Sequence, residues 1–268
     1  MPRKYYTFLG QSAFLRPLRN LFFRKKGRYI ESRSQVARDY ENYKVTFAFI
    51  ASIQVASKAA RRGMENTLLK NSIKLVKRYK RKDTKCIVID IGTNFGYLSL
   101  VWANTIANRG KVYSFEPHPD MFKSFSKSIE INQLQQIINP QNIALGDTTG
   151  TIELNLAHTS ANVLELSSIR EKNNKLQAPV ASLDDFSEDF NIENCDLIKI
   201  DVDGIELSIL KGAQDFIKRY KPILIVETNN DSNIVDLVEN MGYTTLTQDL
   251  KPYLKGNPLP PNAFFVPN

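Results

Sequence analysis

An α/β fold built on a mostly parallel sheet is what this chain predicts, and three features predict it. CIVIDI (86–91) and DLIKIDV (196–202) read as apolar throughout, as strands buried on both faces must. Runs of this kind alternate with stretches of helical periodicity, which implies a sheet with helices on both faces. The turn after the first run, DIGTNFG, carries Gly92 and Gly96 where a strand must swing sharply into a helix.

The elements follow in order. Residues 1–85 have no clear two-residue alternation. FLRPLRNLFFRKK (14–26), ENYKVTFAFIASIQVASKAARR (41–62) and ENTLLKNSIKLVKRYKRK (65–82) read as helices, the first punctuated by Pro17 and Gly27. From Cys86 the rhythm changes. CIVIDI is followed by a helix through about Asn108, and KVYSFEP (111–117) by a helix from Asp120 to Ile131. IINPQNIALG (137–146) reads as a third strand and TIELNLA (151–157) as a short extra one. DLIKIDV leads into a helix over Ile205–Tyr220, then the strand PILIVET (222–228), a helix near Asn233–Met241, and the strands YTTLTQ and AFFVPN.

At 268 residues and 42% hydrophobic content, the chain can bury a substantial core. Its two cysteines, Cys86 and Cys195, form neither a zinc cluster nor a disulfide framework, and read as reduced core thiols. No apolar run approaches the length of a membrane span. Arg16, Arg19 and Arg24 break what could have been a signal-peptide core, so a cytoplasmic protein is expected. The net charge of +8 is unevenly spread. Residues 1–85 hold 22 Lys/Arg against 5 Asp/Glu, and residues 86–268 hold 14 against 23. The chain therefore divides into a basic helical segment, 1–85, and a mildly acidic α/β domain, 86–268. The first segment suits a lid over the acceptor site or contact with an anionic membrane surface. Nucleic acid is a poorer partner, because no RNA- or DNA-reading motif accompanies the charge.

Ligands in open parallel sheets bind beyond the carboxyl ends of the strands, near the reversal of strand order. Asp90, Glu116, the 142–147 segment, the 201–206 segment and Glu227 all follow strand ends. The glycine turn departs from the dinucleotide pattern G-x-G-x-x-G, with Asn94 where the second glycine would stand. Asn tolerates the left-handed conformation, so the turn can still open. A carboxylate at Asp90 would repel a pyrophosphate and suit a cationic ligand; the turn alone is equally compatible with a purely structural role. Glu116, about twenty residues on, is placed to accept the ribose hydroxyls of an adenosine, or else to cap the next helix. Asp90 and Glu116 together indicate adenosine plus positive charge, the signature of S-adenosylmethionine.

VIDIGTNFGYLSL, VYSFEPHPDMF, NIALGDTTGTIEL, VASLDDF, DLIKIDVDGIELSILKGA and ILIVET occur in this order. Over roughly residues 86–266 the chain resembles the FkbM-type family of S-adenosylmethionine-dependent methyltransferases. The resemblance implies a Rossmann-like class I methyltransferase sheet of seven strands, the last antiparallel, and O-methylation of sugar or natural-product hydroxyls. By position it implies that Asp90, Gly92, Asn94 and Gly96 wrap the methionine end, that Glu116 holds the ribose, and that Asn142 and Ala144 border the adenine. Asp203 departs from the family, which more often has Glu there.

Methyl transfer needs an aligned acceptor and a destination for its proton, since the cofactor is already activated. Asp201 is a candidate general base or, with Asp203 and Glu227, one of an oxygen-ligand set for Mg²⁺. Asp201 and Glu206 could equally support the loop and cap the following helix. His158, in a polar segment after the extra strand, is a second candidate base or acceptor contact, or a plain loop residue. His118 reads as a surface or supporting residue. Methylation of RNA and a non-catalytic cofactor-binding scaffold are the competing functions. Acceptor identity and oligomeric state are not written in the sequence.

Overall fold

The computed structural model describes residues 24–25, 28–79, 85–157, 160–162, 175–202 and 204–268. Of the helix expected over 14–26, only Arg24–Lys25 falls among them, paired as a short strand with Arg28–Tyr29. The first long elements are strands, β1 (Glu31–Tyr40) and β2 (Tyr43–Ser52), joined by the two-residue turn Glu41–Asn42 in an antiparallel hairpin. This corrects the helix expected over 41–62. Val45, Phe47, Phe49 and Ala51 share one face of β2 and are the most deeply buried, while Ala48, Ile50 and Ser52 on the other face are buried too, and the strand runs directly into a helix. That helix is α1 (Ile53–Arg62), opened by the Ser52 side chain accepting from Val55 N, and α2 (Asn66–Tyr79) follows as expected.

Beyond α2 come β3 (Ile87–Ile91), α3 (Tyr97–Ala103), β4 (Lys111–Phe115), α4 (Pro119–Ile131) and β5 (Ile138–Gln141). IINPQNIALG is therefore two strands, because β6 (Ala144–Gly146) joins a different sheet. β7 (Gly150–Ala157) and β8 (Lys175–Ser182) lead through α5 (Leu183–Asp189) to β9 (Leu197–Ile200). The helix expected over 205–220 is split into α6 (Glu206–Lys211) and α7 (Gln214–Tyr220). β10 (Ile223–Glu227), α8 (Ser232–Asn240), β11 (Tyr243–Leu246) and β12 (Asn262–Pro267) complete the described elements.

Seven strands form the main sheet in the order β11-β12-β10-β9-β3-β4-β5. β12 runs antiparallel to both its neighbours, and the remaining pairs are parallel. This is the Rossmann-like topology of a class I methyltransferase. Strand order reverses between β3 and β9, so their carboxyl ends open a crevice. A smaller sheet orders 160–162, β7, β8 and β6, with β6 and β8 parallel.

Alternate residues of the central strands feed two cores. Val88, Leu197 and Ile225 face one side with Trp102, Phe125, α2 and the hairpin. Ile89, Ile198 and Val226 face the other with Phe186, Ile209, Phe216 and Val235 from α5 to α8. The hairpin is fixed to α4 through the outer edge of β2. Asn132 accepts from Ala48 N at 2.8 Å and donates to Ala48 O at 2.7 Å, and Ser128 Oγ accepts from Ile50 N at 3.0 Å. Side chains of a helix thus replace the neighbouring strand that an open edge would recruit.

Candidate active site

The crevice at the β3/β9 reversal is a cleft of about 240 Å³. Its floor is the glycine turn, its polar side carries Glu116, Lys199 and Asp201, and Phe115, Pro117 and Ile143 form an apolar slot beside Glu116. Phe49, Val55, Met64 and Glu65 close it from the hairpin and the α1–α2 junction. The segment before the sheet therefore supplies one wall of the cleft.

The turn from β3 to α3 is held open by left-handed backbone at Gly92 (φ +78°), Asn94 (φ +56°) and Gly96 (φ +79°). Gly92 is also required by contact: a Cβ there would lie 1.9 Å from the Asp201 carbonyl oxygen. Every amide of the turn has a partner inside the protein. Gly92 N and Thr93 N donate to Phe115 O, Asn94 N to Glu116 Oε2 at 2.7 Å, Phe95 N to the Asn94 side chain, and Gly96 N to Thr93 O. No N–H of residues 92–96 is left to cradle a phosphate, which sets this turn apart from dinucleotide loops.

Glu116 ends β4 and is 5% exposed. Its Oε2 accepts from Asn94 N and its Oε1 from His118 N at 2.9 Å, so the carboxylate pins both turns that frame the cleft. Each oxygen keeps a further lone pair, and the pair fits the two hydroxyls of a ribose. Burial pushes Glu116 up to about 7, against the two amides and Lys199, which pull it down. Asn142 Nδ2 donates to Glu116 O at 2.7 Å, buttressing this strand end from behind, while Ala144 lines the cleft. His118 is buried and not at the surface; its Nδ1 accepts from Asp120 N and caps α4.

Asp90 takes a different position from the one its charge suggests. It is fully buried, outside the cleft lining, and accepts from Ser99 Oγ at 2.5 Å. The cation it faces belongs to the chain: Lys199 Nζ lies 3.8 Å from Asp90 Oδ1 and 3.2 Å from Asp201 Oδ2, and donates to Gly92 O at 3.3 Å. Lys199 is a cleft side chain that sequence reasoning does not single out, since DLIKIDV reads as an apolar strand. A lysine in mid-strand at the centre of a covered sheet was the available signal. Burial raises the Asp90 carboxyl, opposed by Lys199 and Ser99. Lys199 itself is penalised by burial, but Asp201 and Asp90 more than reverse this and raise it.

Asp201 lines the cleft with its side chain 40% exposed. Lys199 holds it below the ordinary carboxylate range against partial burial, helped by a hydrogen bond with Glu227 on the next strand. Glu206 accepts from Val202 N and Gly204 N and from the Asn229 side chain, so it supports the loop after β9. Asp203 and His158 lie outside the described residues. Among the described residues, no group of three or more His, Cys, Asp or Glu side chains is placed to hold a metal ion. Of the expected Mg²⁺ set, Asp201 and Glu227 are described and share a hydrogen bond, while Asp203 lies outside the described residues. The Lys199 ammonium already stands beside Asp201, and a second cation would be repelled by it.

The chain is similar to known methyltransferases. The methyltransferase FkbM domain family matches residues 90–245. Methyltransferase sdnD of Sordaria araneosa is 24% identical, the match covering 57% of this chain and 70% of that protein. Hexuronic acid methyltransferase AglP of Haloferax volcanii is 23% identical, covering 61% of this chain and 64% of its own. Among solved structures, methyltransferase FkbM from Methylobacillus flagellatus KT aligns with a TM-score of 0.44 at 16% identity, covering 86% of this chain and 56% of that one.

Proposed function

From the premise that this chain belongs to the FkbM family of S-adenosylmethionine-dependent methyltransferases, we propose that it methylates a hydroxyl of a sugar, in a glycan, a glycolipid or a glycosylated small molecule. The observation that carries the reading is the pairing of Glu116 and Asp201 in one cleft, on the two sides of the strand reversal. Similarity to a hexuronic acid methyltransferase supports a sugar acceptor.

S-adenosylmethionine, when bound, supplies a methyl group already activated on a sulfonium. Glu116 accepts the ribose hydroxyls, and the slot beside it suits a flat, apolar-faced base. Asp201 accepts the hydrogen bond of the acceptor hydroxyl and aims its oxygen for in-line attack. A carboxylate held below its ordinary range is a weak base. It takes the proton late, once the forming O–CH₃ bond has made that proton acidic. The electron pair of the breaking C–S bond remains on sulfur.

Supplying methyl-¹³C cofactor with a panel of methyl glycosides and uronic acids should give O–¹³CH₃ products. Label on nitrogen, or transfer to RNA alone, would refute the acceptor reading. Asp201→Asn should retain the cofactor and lose about 10²-fold or more in turnover, while EDTA should leave turnover unchanged. The exposed stripe Lys70, Lys74, Lys77 and Arg78 of α2 supports contact with an anionic membrane carrying a lipid-linked acceptor. No described helix is long and apolar enough to cross a membrane. Co-sedimentation with phosphatidylglycerol vesicles that fails to weaken with salt would count against that contact.

A further inference from the structure

Three parts of the cleft meet at one buried ammonium. Lys199 stands directly opposite Asp90 in the parallel register of β9 and β3, and its side chain is 5% exposed. It reaches Asp90 Oδ1, an oxygen with no hydrogen-bond partner, at 3.8 Å. It reaches Asp201 Oδ2 at 3.2 Å and the carbonyl of Gly92 at 3.3 Å. An internal partner for Asp90 would have no need of the other two contacts. Of the ammonium's three donors, one goes to the cleft acid and one to the floor of the turn, while the buried acid is met as an ion pair at longer range.

We propose that Lys199 is the positioning residue of the acceptor side: its ammonium fixes the Asp201 carboxylate toward the cleft and ties it to the glycine turn through Gly92 O. This rests on the methyltransferase reading of the cleft. Glu227 on β10 shares a hydrogen bond with Asp201, and Glu206 on α6 holds the loop beyond it, so both bear on the same carboxylate.

Removing Lys199 alone would leave Asp90 buried without its cation, and loss of folding would then be uninformative. The double variant Asp90→Asn/Lys199→Met removes both members of the buried pair and keeps an acceptor for Ser99. Aspartate ¹³Cγ labelling, with Asp201→Asn for assignment, reads the Asp201 titration without any acceptor. The double variant should titrate at Asp201 at least one pH unit higher than the wild type. Asp201 titrating at the same pH in both proteins would overturn the proposal and leave Lys199 as the partner of Asp90 only. Failure of the wild type to bind S-adenosylmethionine would instead remove the methyltransferase reading of the cleft, and the titration would still decide whether Lys199 governs Asp201.

Discussion

Glu116 pins two turns of the fold with the same two oxygens that we propose hold the ribose. Burial holds it near 7 in the folded protein, above the carboxylate's ordinary 4.5. Its contribution to stability is therefore fully present below about pH 4.5 and is lost as pH rises through 7, a change on the order of 3 kcal/mol. Ribose hydroxyls donate to the ionised form, so cofactor binding must first expel the proton below pH 7. Affinity for S-adenosylmethionine should weaken toward tenfold per pH unit below pH 7. Glu116→Gln, whose oxygen can accept from only one of the Asn94 and His118 amides while its NH₂ faces the other, should bind more weakly and show no such slope. Calorimetry between pH 6 and 8.5 checks both. Gly92 sets a sterner constraint. Gly92→Ala would drive a methyl group into the Asp201 carbonyl at 1.9 Å, in a backbone conformation that disfavours side chains. It should cost about 3 kcal/mol or more and abolish cofactor binding, as read by thermal unfolding with and without ligand. The glycines, Asn94 and Glu116 could be picked out from the sequence because each occupies a strand end. Lys199 could not, because its meaning lies in the register of two strands far apart in the chain.

Among the elements, the parallel strands were legible because burial on both faces writes an uninterrupted apolar run. The hairpin was not. In YKVTFAFIAS the two-residue period meets the helical period of α1 without a glycine or proline between them, and the merged stretch imitates one helix. β8 is hard to read for another reason: KLQAPVAS carries Pro179, which argues against a paired strand, and it belongs to a side sheet. What holds the hairpin in place is legible only in three dimensions. Asn132→Ala would leave the Ala48 N–H and C=O without their partners on the α4 side. A loss of about 1–3 kcal/mol is expected, with cofactor affinity reduced because Phe49 on the same strand lines the cleft. Chemical denaturation and calorimetry on the one variant test the two effects together.

At the scale of the whole molecule, the division by charge at residue 85 does not coincide with a division of the core. Val36, Phe47, Phe49 and Leu69 lie in one continuous cluster with Trp102, Phe125 and Phe264. Each large apolar side chain uncovered by removing the first segment forfeits about 1.5–3 kcal/mol. A fragment of residues 86–268 should therefore unfold without a cooperative transition and bind a hydrophobic dye. A sharp thermal transition in that fragment would show that the sheet stands alone. Charge patterning along the sequence reports where the surface differs, which is a separate matter from where the chain can be cut.

Adenosine in a cell comes mostly attached to phosphates, and an enzyme that wants the sulfonium must ignore that crowd. A turn whose five amides, those of residues 92–96, are already spoken for has none of them to lend to a phosphate of ATP or a dinucleotide. That part of the selection against the crowd is made when the chain folds, before any ligand arrives.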